Sequence, residues 1–162
     1  MNTARSVTVS LTAAAAGDYA AGDVLSQSAS NDVGVALEFA GLGRKPGDHI
    51  TLIDGIVKCN VASDLLLPLR LHLFNRAPVA AEVEMDDNVA FSIKTTAGKG
   101  IYLGSFDFLP FRDDGALLIA EPLTPRKTVL LAGTSLFVVP QTRAAETNES
   151  AGMVLDFTLT AY

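Results

Sequence analysis

The chain has 162 residues, with 12 basic and 18 acidic side chains and a net charge of −6 at neutral pH. Hydrophobic residues make up 49% and charged residues 19%, against about 25% charged in an average soluble domain. That balance excludes intrinsic disorder, which needs low hydrophobicity and high charge, and a basic surface for non-specific nucleic-acid binding. The length suits one domain and is short for two, and so apolar a chain leans towards hiding part of its surface against a partner.

Period-two alternation is the dominant pattern along the chain. Residues 1–17 form a candidate N-terminal arm, in which Arg5, Val7 to Leu11 and Ala13 to Ala16 superficially resemble a signal peptide. Thr8 and Ser10 interrupt the apolar run, so the roughly 7–15 continuous apolar residues of a secretory signal are missing. Val7, Val9 and Leu11 instead predict a first strand. Val35, Leu37 and Phe39 predict another, and Ile50 to Cys59 a longer one containing Asp54-Gly55, a two-residue hairpin candidate. Leu69, Leu71 and Leu73 alternate with Arg70 and His72, and Val83 and Met85 alternate with Glu82, Glu84 and Asp86. Strands are also expected at Gly100 to Phe108, Ala116 to Ala120, Val129 to Ala132, Ser135 to Val139, and through Leu155, Phe157 and Leu159. Each run has one apolar and one wet face, as in antiparallel sheets solvated on one side.

Turn signals such as Gly17-Asp18, Pro46-Gly47-Asp48, Asp113-Asp114-Gly115 and Ala132-Gly133-Thr134 separate these runs. Arg143 to Ser150 reads as a polar loop, and helix signals are thin. The expectation is one all-β domain over residues 1–162, an antiparallel β-sandwich or jelly-roll-like barrel of about nine or ten strands.

Signals for chemistry are sparse. Cys59 is the single cysteine, which rules out an intrachain disulfide and a multi-thiolate zinc site; a small half-buried strand residue is expected there. No apolar run approaches the roughly 20 residues of a membrane-spanning helix. His49 and His72 are the only histidines and lack metal-binding spacing, so surface or partly packed rings are expected and no metal or cofactor. Glu82, Glu84 and Asp86 share one strand face by period, read as solvated, and lack the spacing of a calcium loop. Gly41 to Asp48 has the composition of a phosphate loop without its residue order and reads as a tight connection. Phe106-Asp107-Phe108-Leu109-Pro110-Phe111 holds three of the eight phenylalanines. Phe106 and Phe108 are expected in the core, with Leu109 and Phe111 forming an exposed apolar knob where Pro110 ends ladder pairing.

Five segments in order resemble a known family. They are Asp18-Tyr19-Ala20-Ala21-Gly22-Asp23-Val24, Ile50 to Val57, Leu71-His72-Leu73-Phe74-Asn75 with Pro78 after it, Asp87 to Ile93, and Ile101 to Phe106. The set resembles head decoration, or cement, proteins that accompany the major capsid proteins of tailed bacteriophages. The resemblance covers about residues 18–110. It implies a β-rich homo-oligomer, trimers favoured, made in the bacterial host cytoplasm and seated on the outer capsid surface of the virion. It implies the major capsid protein as partner, no nucleic-acid or membrane partner, and no catalytic residues.

Contacts in such a role are expected at Val7 and Val9 on the first strand, Leu155 and Phe157 on the last, and Leu109 and Phe111 in the knob, with the two terminal strands available for edge pairing. Two rival readings stand beside it. One is a carbohydrate-binding β-sandwich module using Tyr19 or Tyr102. The other is a jelly-roll enzyme using His49, His72 and nearby acids.

Overall fold

The structure, a computed structural model, describes residues 3–14, 17–27, 34–59, 68–109, 112–113, 118–120, 122, 126–149 and 153–162. The fold is all-β, in chain order β1 (Arg5–Thr12), β2 (Gly17–Tyr19), β3 (Leu37–Phe39), β4 (His49–Cys59), β5 (Leu69–Phe74), α1 (Thr96–Ile101), β6 (Tyr102–Asp107), β7 (Arg112–Asp113), β8 (Leu118–Ala120), β9 (Lys127–Leu130), β10 (Leu136–Thr142), β11 (Glu146–Glu149) and β12 (Val154–Ala161). A six-stranded sheet has the order β1-β12-β4-β8-β7, with β9 also paired to β4. A four-stranded sheet has the order β3-β10-β5-β6, and β2 pairs with β11. Every pairing among the described strands is antiparallel.

The core lies between the two larger sheets. β12 turns Leu155, Phe157, Leu159 and Ala161 inward, all fully buried, and β5 does the same with Leu69, Leu71 and Leu73. Phe39, Phe106 and Phe108 fill the space between, and Cys59 is buried among them. Fully burying one such side chain is worth about 1.5–3 kcal/mol. These alternating strands, and the buried placement of Phe106 and Phe108, follow the sequence pattern.

Several expectations are corrected. Asp54-Gly55 is no hairpin: β4 runs unbroken through it. Its ladder with β12 slips between Thr160–Asp54 and Ala161–Leu52, so Ile53 is an extra residue in a bulge, and bulges bend a strand. Gly55 serves a close approach instead. A Cβ there would lie 2.9 Å from Phe108 Cζ and 3.3 Å from Phe106 Cε1, where the two rings meet edge to face. Val83 and Met85 form no strand, only a single bridge from Val83 to Ile93, and Val35 is 78% exposed rather than aligned with Leu37 and Phe39. Gly17 and the 143–150 loop contribute β2 and β11. Residues 5–12, by contrast, form the expected first strand, paired along their whole length with β12. The short helix α1, with glycines at 98 and 100, is held by Thr95, whose hydroxyl accepts from Gly98 N–H at 3.1 Å. Asp114-Gly115 and the 28–33 segment lie outside the described residues.

A glycine required for ring packing predicts a specific cost. Gly55→Val should lower unfolding stability by about 1–3 kcal/mol through overpacking, read as a lower urea midpoint with an unchanged slope. An unchanged midpoint would show that the rings do not need this space.

Candidate functional site

The outer face of the four-stranded sheet gathers polar and aromatic groups around His72, among them Gln141, Tyr102 and Phe91. By its period, β5 turns Arg70 and His72 away from the core, and Phe74 follows a register shift between Leu73 and Phe74. This face is covered. Residues 79–93 cross it, tied by Lys94 N–H to Glu82 O and Glu84 N–H to Ser92 O. The 22–24 segment joins them through Val24 N–H to Val89 O and Phe91 N–H to Gly22 O. A second apolar cluster of Val24, Phe74, Val83, Met85 and Val139 forms beneath.

His72 is therefore buried, 5% exposed, rather than lying at the surface. Its ring stacks on Phe91 with centroids 3.6 Å apart and planes 9° from parallel. Gln141 donates through Nε2 to Gly22 O at 2.7 Å, leaving its Oε1 to accept from His72 Nε2 at 2.9 Å. His72 Nδ1 then accepts from the Tyr102 hydroxyl at 3.1 Å, so the ring is the neutral Nε2–H tautomer with both nitrogens engaged. Burial pushes its pKa down to about 4; the Gln141 bond opposes that fall and the nearby Arg70 charge adds to it. Burial also raises the Tyr102 phenol.

The neighbouring charges are committed to the fold. Asp107 binds Arg70 through two bonds of 2.7 and 3.0 Å and Arg143 through one of 3.0 Å. The Arg70 bond chiefly holds the Asp107 carboxyl below its ordinary range. The acidic run is not a solvated strand face. Asp87 is 5% exposed and accepts from Tyr19 O–H at 2.8 Å and Ser26 N–H at 2.7 Å. Asp86 accepts from Gly34 N–H at 3.2 Å, Glu84 pairs with Lys94 at 2.9 Å, and Glu82 pairs with Arg76 at 2.6 Å.

The remaining candidates are dispersed. His49 is exposed at the start of β4, where it lines a shallow pocket with Arg44, Asp48, Thr51 and Tyr162; it is on the other sheet from His72. Among the described residues no three His, Cys, Asp or Glu side chains gather as metal ligands, and no helix is long and apolar enough to cross a membrane. Val7 and Val9 are half-buried on β1 and pack against the core. Leu109 is 43% exposed, while Phe111 lies outside the described residues. Leu155 and Phe157 are corrected: both are fully buried. β12 is also no edge, because β1 and β4 flank it on its two sides. Tyr19 is 1% exposed, which closes it to a sugar ring, while Tyr102 is part-buried, its hydroxyl bonded to His72 and its ring tilted against Phe74. Gln141 and Phe91 complete the His72 environment and were not legible as partners, because they lie 69 and 19 positions away in sequence with no shared motif.

No protein-family model matches this chain, and no curated protein matches it significantly.

A neutral buried imidazole makes a prediction about acid. The folded pKa near 4 lies below the ordinary 6.5, so the unfolded chain binds more protons between those values. Stability contributed by a neutral His72 is intact above pH 6.5 and declines as pH falls towards 4, by about 3 kcal/mol in all. Asp107 weakens the fold only at lower pH, below the ordinary aspartate range. Urea unfolding at pH 7, 6, 5 and 4.5 should therefore show a steeper loss for the native chain than for His72→Gln. Parallel curves would contradict the assignment.

Proposed function

We propose that this chain is a structural, non-enzymatic protein that binds the outer surface of a tailed-phage capsid and cements adjacent capsomers, with the major capsid protein as its partner. The observation that carries the reading is how the family-like segments meet. Tyr19 of the first bonds Asp87 of the fourth, and Val24 of the first bonds Val89 of the fourth. His72 of the third lies between Phe91 of the fourth and Tyr102 of the fifth. A motif order that corresponds to one set of tertiary contacts supports a shared architecture more than any single motif does.

The electrostatics agree with this role. The net charge of −6 suits a position outside the shell, away from packaged DNA phosphates. Side chains with chemical potential, among them His72, Asp86, Asp87 and Asp107, are occupied in holding segments together. A lattice of many modest contacts becomes strong through avidity, so a cement protein needs a rigid body more than a deep pocket.

The test is direct. Purified chain mixed with heads of the phage or prophage that encodes it should co-sediment with them and raise the temperature at which they disrupt. Failure to bind either immature or expanded heads would contradict the proposal.

A further inference from the structure

We infer that the free edge of β1 is a self-association strand, pairing antiparallel with β1 of a second copy to join two six-stranded sheets into one. The inference starts from which backbone groups β1 has left. Ala13 N–H donates to Met153 O at 2.9 Å, and bonding alternates along an antiparallel ladder. Hence Arg5, Val7, Val9 and Leu11 spend their backbone groups on β12, their partners being Ala161, Leu159, Phe157 and Leu155. The N–H and C=O groups of Ser6, Thr8, Ser10 and Thr12 point away from it. Past the strand end, Ala14 N–H reaches Ser26 O at 3.0 Å. Along the edge itself the one described partner is the exposed Gln27 side chain, 3.4 Å from Ser10 O, a long bond that a backbone N–H can replace.

Among the edges of the two larger sheets this one is the longest and most regular. Natural sheets guard edges with short strands, bulges, lysine or proline. β3 has three residues and β7 has two. β9 has four and begins at Lys127, and β6 carries a register irregularity against β5. β1 has eight residues, no lysine or proline, and an unshifted register over its whole length.

The side chains fit a second copy of the same strand. With a two-fold axis at Thr8, Ser6 faces the partner's Ser10, Thr8 faces Thr8, and Val7 faces the partner's Val9. That register places the six exchanged backbone bonds on the groups that β12 leaves unused. It also puts valine against valine on the core side and hydroxyls together on the outer side. Val7 and Val9 pack against the main core while only partly buried, so pairing would cover them further. Arg5 is the only charge on the strand, and it is engaged with Gly41 O at 3.0 Å, so little repulsion opposes the approach.

An isologous pairing closes with two copies, so it predicts a dimer and not the trimer that the family resemblance implies. It does not rest on the capsid reading, and it is tested without capsids. Sedimentation velocity of the intact chain at tens of micromolar should give 2 × 17.0 kDa. Thr8→Pro removes an outward N–H that β12 does not use, and should halve that mass with the β-sheet circular dichroism retained. Val7→Lys, an inward-pointing charge at the edge, should do the same. Should both variants fail to fold, Thr8→Cys in a Cys59→Ser background decides the matter. Directly opposed residues there lie about 5.5 Å apart between Cα atoms, within disulfide range, so mild oxidation should cross-link two copies. A monomeric or trimeric native chain, a dimer that persists in folded Thr8→Pro, or no cross-link through Cys at position 8 would overturn the inference.

Discussion

The C-terminal strand β12 is inserted between β1, near the start of the chain, and β4, in its middle. It joins β1 to the rest of the six-stranded sheet, in which β8 and β9 pair with β4. Leu155, Phe157 and Leu159 are fully buried on its inner side. On its outer side Thr160, Thr158 and Asp156 meet Ser6, Thr8 and Ser10 at 2.8, 2.8 and 2.5 Å. The magnitudes say which side governs. Each buried apolar side chain contributes about 1.5–3 kcal/mol, and each exposed cross-strand polar pair roughly 0.2–1 kcal/mol. The inward face fixes the register, and the hydroxyl ladder follows it. Because β12 is satisfied on both flanks, the open edge moves to β1.

The second sheet solves a different problem. Its outer face carries Arg70, His72 and Gln141, groups that a sheet would ordinarily leave wet, yet residues 79–93 cover it. Covering polar groups costs free energy unless each finds a partner, and here the partners are present: Gln141 and Tyr102 for His72, Asp107 for Arg70, Tyr19 and Ser26 for Asp87. The outcome is a face whose polar chemistry is turned inward and used to lock loops.

Alternation made the inward faces of β1, β3, β5 and β12 legible, because period two is all that a half-buried strand needs. It did not reveal what lay over the other face. The same period that placed His72 and the acids opposite the core also assigned them to solvent, and only the long-range crossing by residues 79–93 reverses that. Asp54-Gly55 misleads for a related reason: the same two residues serve a turn or a bulge beside closely packed rings, and local composition does not distinguish the two. Leu155 and Phe157 were legible as strand residues but not as core between two neighbours, since strand order is a property of the whole chain. The helix α1 carries two glycines against its propensity, and its capping threonine is a weak signal alone.

Residue-resolved hydrogen exchange on the dilute chain tests the β12 insertion most directly. The account predicts slow exchange at every amide of β12, since alternate residues serve β1 and β4. Along β1 it predicts a two-beat pattern, slow at Val7, Val9 and Leu11 and fast at Ser6, Thr8 and Thr12. Rapid exchange through the middle of β12, or no alternation along β1 at a dilution where the chain sediments as a monomer, would contradict it.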